Sequence, residues 1–220
     1  MFDACRKAGV NHFDTAHVYT GGASETLLGQ FIKTELDTVY VATKLAYTGG
    51  AGKENINATF ASSQKRLGLD CIDLLYLHRF DPDTPLGETF EALAQLQQSG
   101  KIRHIGVSNY AAWQVVKAQS VAADLGTRID MIQPMYSLVK RQAEVELLPM
   151  AKSECIGVAA YSPLGAGLLT GKDTQRGDGR LATDSRYAAR YGKPRMHKTA
   201  QDFAVLAAQM QMEPATLAVA

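Results

Sequence analysis

Short apolar runs alternate with longer amphipathic ones along most of this chain. Six runs read as strands: "VNHFDT" (10–15), "TVYVATK" (38–44), "IDLLYLH" (72–78), "RHIGVSN" (103–109), "DMIQPMY" (130–136) and "IGVAAYS" (156–162). Several are nearly unbroken in apolar residues, the pattern of parallel strands covered on both faces. Segments of helical period lie between them. Ser24 can cap a helix bearing Leu27, Leu28, Phe31 and Ile32. "KENINATFASSQKRLG" sets Ile56, Phe60 and Leu67 on one stripe, with Gly68 as its stop. "PLGETFEALAQLQQSG" repeats the pattern with Leu86, Phe90, Leu93, Leu96 and Gly100. "AAWQVVKAQSVAADLG" follows, and its period makes Trp113 a core-packing residue. In "AEVELLPMAKSEC", Pro149 must sit in a first turn or make a kink. The last helix, "TAQDFAVLAAQMQ", follows residues 171–198, a polar, basic, Gly-rich stretch that reads as a long loop. Such strand–helix alternation predicts a parallel sheet. No linker or composition break divides the chain, so residues 1–220 read as a single domain.

The strands end in polar residues. In order these are Asp14, Lys44, His78, Ser108 with Asn109, Gln133 and Tyr161, at intervals of 30, 34, 30, 25 and 28 residues. Each interval is about one βα unit. In a doubly wound sheet or a (β/α)8 barrel, the C-terminal strand ends converge on one face, and that face carries the chemistry. Doubly wound nucleotide binders carry a Gly-rich turn after a strand. "TGGAS" and "GAGLLTG" do not fit that pattern in the right context, so a barrel is favoured.

Taken singly, each of these residues has an ordinary explanation. Asp14 could be a turn residue, Tyr19 a surface aromatic and His78 a satisfied core histidine. Ser108 and Asn109 could start the next helix, and Tyr161 could be core. Lys44 and Gln133 resist dismissal, because a buried ammonium needs a carboxylate and a buried amide needs a partner. Six polar strand ends in succession are not what these separate explanations predict. As a set they make chemical sense. A phenol has a reference pKa of about 10, and a nearby ammonium stabilises its phenolate. Asp14 would hold Lys44 charged, and His78 could donate to a carbonyl oxygen. Such a group suits the transfer of a proton to an oxygen as hydride reaches the attached carbon. Ser108, Asn109 and Gln133 offer donors and acceptors to a primary amide, and Tyr161 offers a ring face. Nicotinamide has both the amide and the ring.

Composition adds mainly exclusions. The 220 residues carry a net charge of +1, which gives no sign of nucleic acid or an anionic membrane as partner. No apolar run approaches the roughly 18 to 20 residues of a membrane helix. The opening "MFDACRKAGV" lacks the apolar core of a signal peptide and reads as helix, with Phe2, Cys5 and Ala8 on one face. Three widely spaced cysteines, Cys5, Cys71 and Cys155, show no metal spacing. They read as buried reduced thiols in a cytoplasmic protein.

The chain resembles the aldo-keto reductases. "FDTAHVYTGGASETLLG", "VATK", "LLYLHRFD", "GKIRHIGVSN", "IQPMYS" and "AYSPLGAGLLTGK" are similar to that family's successive blocks, in order and at its spacing. The resemblance implies a (β/α)8 TIM barrel and reduction of a small aldehyde or ketone by NADPH, with NADH left open. It implies a catalytic set of Asp14, Tyr19, Lys44 and His78, with Tyr19 as general acid. It implies nicotinamide contacts from Ser108, Asn109, Gln133 and Tyr161, with Ser162 and Leu164 touching the cofactor beyond the ring. Against the family plan, Thr20 stands where Gly is common. About six of the eight βα units are covered, so the barrel is expected to be incomplete at both ends and to leave two strand edges unpaired. Two other readings stay open: a cofactor-binding, redox-sensing regulatory subunit, as in the family's potassium-channel β subunits, and an inactive truncated remnant.

Overall fold

The computed structural model describes residues 1–172 and 180–220. They form two compact units, one of Met1–Gln133 with Ala151–Val158 and one of Pro134–Met150 with Ala159–Ala220. The first holds the sheet. Its elements run α1 (Phe2–Lys7), β1 (His12–Asp14), α2 (Ala23–Ile32), β2 (Tyr40–Leu45), α3 (Lys53–Leu67), β3 (Ile72–Leu77), α4 (Leu86–Gln98), β4 (Ile102–Ser108), α5 (Ala112–Asp124) and β5 (Met131–Gln133). α6 (Leu147–Ser153) leads to β6 (Gly157–Val158). The six strands pair in sequence order, every pair parallel. This is the strand order of a βα barrel, met here in six of eight expected units. β1 and β6 each pair on one side only among the described residues.

The sheet curls. Gln133 at the end of β5 donates from Nε2 to Asp14 Oδ2 at the end of β1, at 2.9 Å. In a flat sheet those strands would stand about 19 Å apart, four spacings of about 4.8 Å. Two side chains cannot cross that distance, so the strands between must bend.

Register sorts the side chains onto two faces. The aligned rows Asp14–Ala42–Leu74 and Lys44–Tyr76–Gly106–Met131–Gly157, with Ser108 opposite Gln133, put all of these residues on one face. Ala42, Leu74, Tyr76 and Met131 cluster there. Thr43, Leu75, Leu77, Val107 and Ile132 take the other face and are buried too. The helices cover that face with the stripes their period predicts. Ile56, Phe60 and Leu67 are buried on α3, and Phe90, Leu93 and Leu96 on α4. Gly68 ends α3 in the left-handed conformation, at φ 67. Pro149 lies in the first turn of α6.

In the second unit, Met135 bridges to Tyr161. α7 (Arg180–Thr183), α8 (Ser185–Tyr191), α9 (Pro194–Gln209) and α10 (Pro214–Val219) follow. Leu168, Leu169, Tyr191, Met196, Ala200 and Phe203 form its core.

Four expectations are corrected. The stretch 171–198 is not simply a loop. Residues 173–179 lie outside the described part, but 180–183 and 185–191 are helical and α9 begins at Pro194. The local chemistry is consistent with this, since the Asp184 side chain caps α8 through the Arg186 N–H and Pro194 occupies the first turn of α9. Ser24 does not cap α2. It lies inside the helix and meets the Thr15 hydroxyl at 2.7 Å, while Gly22 precedes the helix. Trp113 is not core, being 61% exposed at the start of α5 with its ring edge toward Phe80. Cys155 is exposed and Cys5 and Cys71 are half-buried, all three as free thiols.

Gly106 sets a sharp steric limit. A Cβ there would overlap the ring of the fully buried Tyr76 on β3. A Cβ at Gly157 would meet the Met131 sulfur, the mobile end of a flexible side chain. Gly106→Ala is expected to lower unfolding stability by about 1–3 kcal/mol and Gly157→Ala by less. Urea unfolding of both variants checks the order, and equal losses would refute it.

Candidate active site

Lys44 is the centre of the polar cluster. It is 1% exposed, so its ammonium must find oxygen from the protein. It pairs with Asp14 Oδ1 and donates to the Thr15 carbonyl at 2.7 Å. Asp14 is the more exposed partner, and its other oxygen accepts from Gln133. Burial pulls the Lys44 pKa below the ordinary lysine range, and the charge and hydrogen bond of Asp14 oppose that pull.

Two aromatic rings flank the ammonium. Its Nζ lies 5.1 Å from the centroid of the Tyr19 ring and 5.8 Å from that of Tyr76, within cation–π range. Tyr19 opens a 3-10 turn, Tyr19–Gly22, in the loop from β1 to α2. Its ring meets His78 nearly edge-on, with centroids 5.8 Å apart and planes at 80°. His78 follows β3, and its N–H extends the ladder to the Leu45 carbonyl at 2.8 Å. The His78 pKa falls to about 4, first through burial and then through the Lys44 charge. Its imidazole is therefore neutral near pH 7. Its Nδ1 is buried with no hydrogen-bond partner among the described residues. The Tyr76 hydroxyl is buried beside Gln133 without a well-formed hydrogen bond, and burial pushes that phenol well above its ordinary range.

Ser108, Asn109 and Gln133 come together at the adjacent strand ends. Ser108 Oγ donates to the Gln133 carbonyl at 2.9 Å. Asn109 Nδ2 donates to the His78 carbonyl at 2.9 Å and to Ser108 Oγ at 3.1 Å. Asn109 does this from a left-handed backbone, φ 58, a conformation that Asn tolerates better than most residues. Ser108 and Asn109 do not start α5, whose first residue is Ala112. Tyr161, Ser162 and Leu164 belong to the second unit, where Tyr161 pairs with Met135 and the Tyr191 hydroxyl donates to the Met135 sulfur at 3.4 Å.

The first unit thus gathers Asp14, Tyr19, Lys44, His78, Ser108, Asn109 and Gln133, which include five of the six predicted strand ends, while the sixth, Tyr161, lies in the second unit. A phenol, an ammonium and a neutral imidazole arranged this way can stabilise negative charge growing on an oxygen held among them. Sequence reasoning missed Tyr47. Its ring is 4.9 Å from that of His78 and lies under the Arg79 guanidinium at 5.2 Å. Its only sequence signal is an aromatic residue in the turn after β2. The roles of Thr15, through a backbone oxygen, and of Tyr76 also escaped, because both read as ordinary strand residues. No group of three or more metal-ligating side chains occurs among the described residues, and no described helix is long and apolar enough to cross a membrane.

Comparison with known proteins gives one consistent result. A model described as the aldo/keto reductase family matches residues 1–220. A protein named probable voltage-gated potassium channel subunit beta, from Oryza sativa subsp. japonica, is 36% identical over 203 residues, covering 86% of this chain and 60% of the relative. Aflatoxin B1 aldehyde reductase member 2 from Rattus norvegicus is 38% identical over 170 residues, covering 74% of this chain and 46% of the relative. Aldo-keto reductase str7 from Strobilurus tenacellus is 36% identical over 177 residues, covering 78% and 52%. The chain spans roughly half to three-fifths of the length of these relatives.

His78 yields a test of the site's electrostatics. Its folded-state value of about 4 lies below the ordinary 6.5, so the folded protein takes up this proton less readily than the unfolded chain. The resulting stability is complete above about pH 6.5 and is lost as pH falls toward 4. Replacing the imidazole in His78→Gln is expected to flatten the urea midpoint across that window relative to the parent protein. Parallel midpoint profiles would mean the imidazole is not held neutral.

Proposed function

The chain belongs to the aldo/keto reductase family, and from that membership and the geometry above we propose that the whole protein reduces a small aldehyde or ketone with a nicotinamide cofactor. The observation that carries the proposal is the buried Lys44, paired with Asp14 and 5.1 Å from the Tyr19 ring. A buried cation beside an exposed phenol adds little to stability and is well suited to acid catalysis.

Tyr19 is the general acid. It gives its proton to the carbonyl oxygen, and the phenolate left behind is stabilised by the Lys44 ammonium. Asp14 keeps that ammonium charged against its burial. His78, neutral near pH 7, donates a hydrogen bond that orients the carbonyl oxygen. When bound, the reduced nicotinamide supplies the hydride. The residues fit its carboxamide. Ser108 and Gln133 keep polar groups buried at adjacent strand ends, Asn109 joins them, and the buried His78 Nδ1 has no described protein partner. Resemblance to the family assigns the ring face to Tyr161 and contacts beyond the ring to Ser162 and Leu164. It also favours NADPH over NADH and a small carbonyl compound as the partner molecule, and the three free cysteines favour a cytoplasmic setting.

A second reading is favoured by one relative. The rice protein's name assigns it to potassium-channel β subunits, and a cofactor-binding subunit that senses redox state would need the same residues. The two readings separate on turnover. A reductase consumes NADPH in steady state when a carbonyl compound is added, whereas a sensor binds NADPH and turns over far more slowly than it exchanges cofactor.

Tyr19→Phe in the full-length protein is expected to lower kcat by about 10²- to 10⁴-fold while NADPH still binds. Nicotinamide absorbance under multiple turnover gives the first quantity, and the shift in cofactor fluorescence gives the second. An unchanged kcat in Tyr19→Phe would remove the phenol from the reaction.

A further inference from the structure

A second charged pair lies on the opposite face of β2 from Lys44, and its contacts run to the loop that carries Tyr19. Glu25, in the first turn of α2, is fully buried. Its Oε1 accepts from the Thr43 hydroxyl at 2.6 Å, one residue before Lys44. Its Oε2 accepts from Arg66 Nη1 on α3 at 3.2 Å. The same guanidinium nitrogen donates to the His17 carbonyl at 3.0 Å. The His17 ring is held as well, with Nδ1 3.2 Å from the Ser63 hydroxyl and 3.4 Å from Arg66 Nη1.

The grip has a far side. Gly22 takes a left-handed backbone, φ 94, and a Cβ there would overlap the Arg66 guanidinium. Arg66 therefore touches the loop at residue 17 and again at residue 22. Between those points stand Tyr19 and two more left-handed residues, Thr20 at φ 47 and Gly21 at φ 63. Gly29 makes the meeting possible, since a side chain there would strike the carbonyls of Arg66 and Leu67 and push α2 off α3. Two further bonds fix the loop's start, from Lys44 Nζ to the Thr15 carbonyl at 2.7 Å and from the His17 N–H to the Lys44 carbonyl at 3.0 Å.

Complete burial of a carboxylate is a poor way to gain stability. It is a good way to fix geometry, because a satisfied low-dielectric network tolerates only one arrangement. We propose that Glu25 and Arg66 are positioning residues for Tyr19, holding the loop at His17 and Gly22 so that the phenol stays beside the Lys44 ammonium and the His78 ring. The proposal rests on the reading of Tyr19 as proton donor. Thr43 and Lys44, adjacent on β2 and facing opposite ways, join the two charged pairs through the backbone.

The test is Arg66→Met in the full-length protein, which removes the guanidinium and keeps much of the stem's packing. It is expected to lower kcat by about 10- to 100-fold, with the KM for NADPH changed by less than about threefold if cofactor contacts are intact. Backbone amide exchange should quicken over residues 15–22 and not over β3 or β4. In a Tyr19→Phe background, Arg66→Met should cost no further kcat, because the group it positions is gone. The same proportional loss in both backgrounds, or an unchanged kcat, overturns the proposal. Should Arg66→Met fail to fold, Glu25→Gln combined with Arg66→Met leaves no lone buried carboxylate and carries the same expectations. Failure of that protein to fold makes the pair a folding determinant and also ends the proposal. If Tyr19→Phe alone retains full kcat, the reading of Tyr19 as acid fails, and the exchange measurement still decides whether Arg66 grips the loop.

Discussion

A lysine ammonium with 1% of its surface exposed is the constraint around which the first unit is built. Moving such a charge out of water costs several kcal/mol unless oxygen replaces the lost solvent. Two of the replacements come from consecutive residues at the end of β1, the carboxylate of Asp14 and the carbonyl of Thr15. Asp14 needs support in its turn, and takes it from Gln133 on β5. The chain of donors and acceptors thus runs from β2 to β1 and across to β5. Only a strongly curled sheet can close it. Burial of one side chain and curvature of six strands are in this sense one requirement.

The inner face shows how the sheet makes room. Tyr76 occupies the row shared with Lys44, and its ring needs the space over β4 that Gly106 leaves empty. Met131 uses the gap at Gly157 in the same way. Large and small residues alternate along one row, which is how a curved parallel sheet fills its interior without voids. The ordering of the polar residues follows from the same row structure. Lys44 sits just short of the strand's end, where the apolar filling stops. Ser108 and Gln133, aligned on the next row, stand at the rim.

Much of this was legible in the chain. All six strands fall on the stretches read from their apolar runs, with β2 ending one residue beyond its stretch and β4 starting one residue before, because buried parallel strands carry a signal that local context does not blur. The partners demanded by Lys44 and Gln133 also exist, and each is Asp14. That inference needed only the rule that buried polar groups are satisfied. The misses have physical causes. Helical period alone does not say which face of a helix meets the core. Trp113 stands at the first turn of α5, where its ring extends past the packed face into solvent, with only an edge contact to Phe80. Residues 180–198 are rich in Arg and Lys, which mask a helical stripe made chiefly by Tyr187, Tyr191 and Met196. Ser24 followed the rule for a cap, but the left-handed Gly22 starts the helix two residues earlier. Glu25 gave no signal, because an acid in the first turn of a helix is ordinary and its burial depends on Thr43 and Arg66, distant in sequence.

β2 is where these levels meet. Pleating sends Thr43 and Lys44 to opposite faces. The outward hydroxyl reaches Glu25 among the helices, and the inward ammonium reaches Asp14 in the site. A shift of one residue in the register of β2 would reverse both, burying a hydroxyl where a cation is needed and driving a cation into the helix layer. The two charged pairs therefore define the strand's register as much as its apolar residues do. Chemistry and fold select the same alignment, and the loop bearing Tyr19 is tied to that alignment from both faces, through the Thr15 carbonyl on one and the His17 carbonyl on the other.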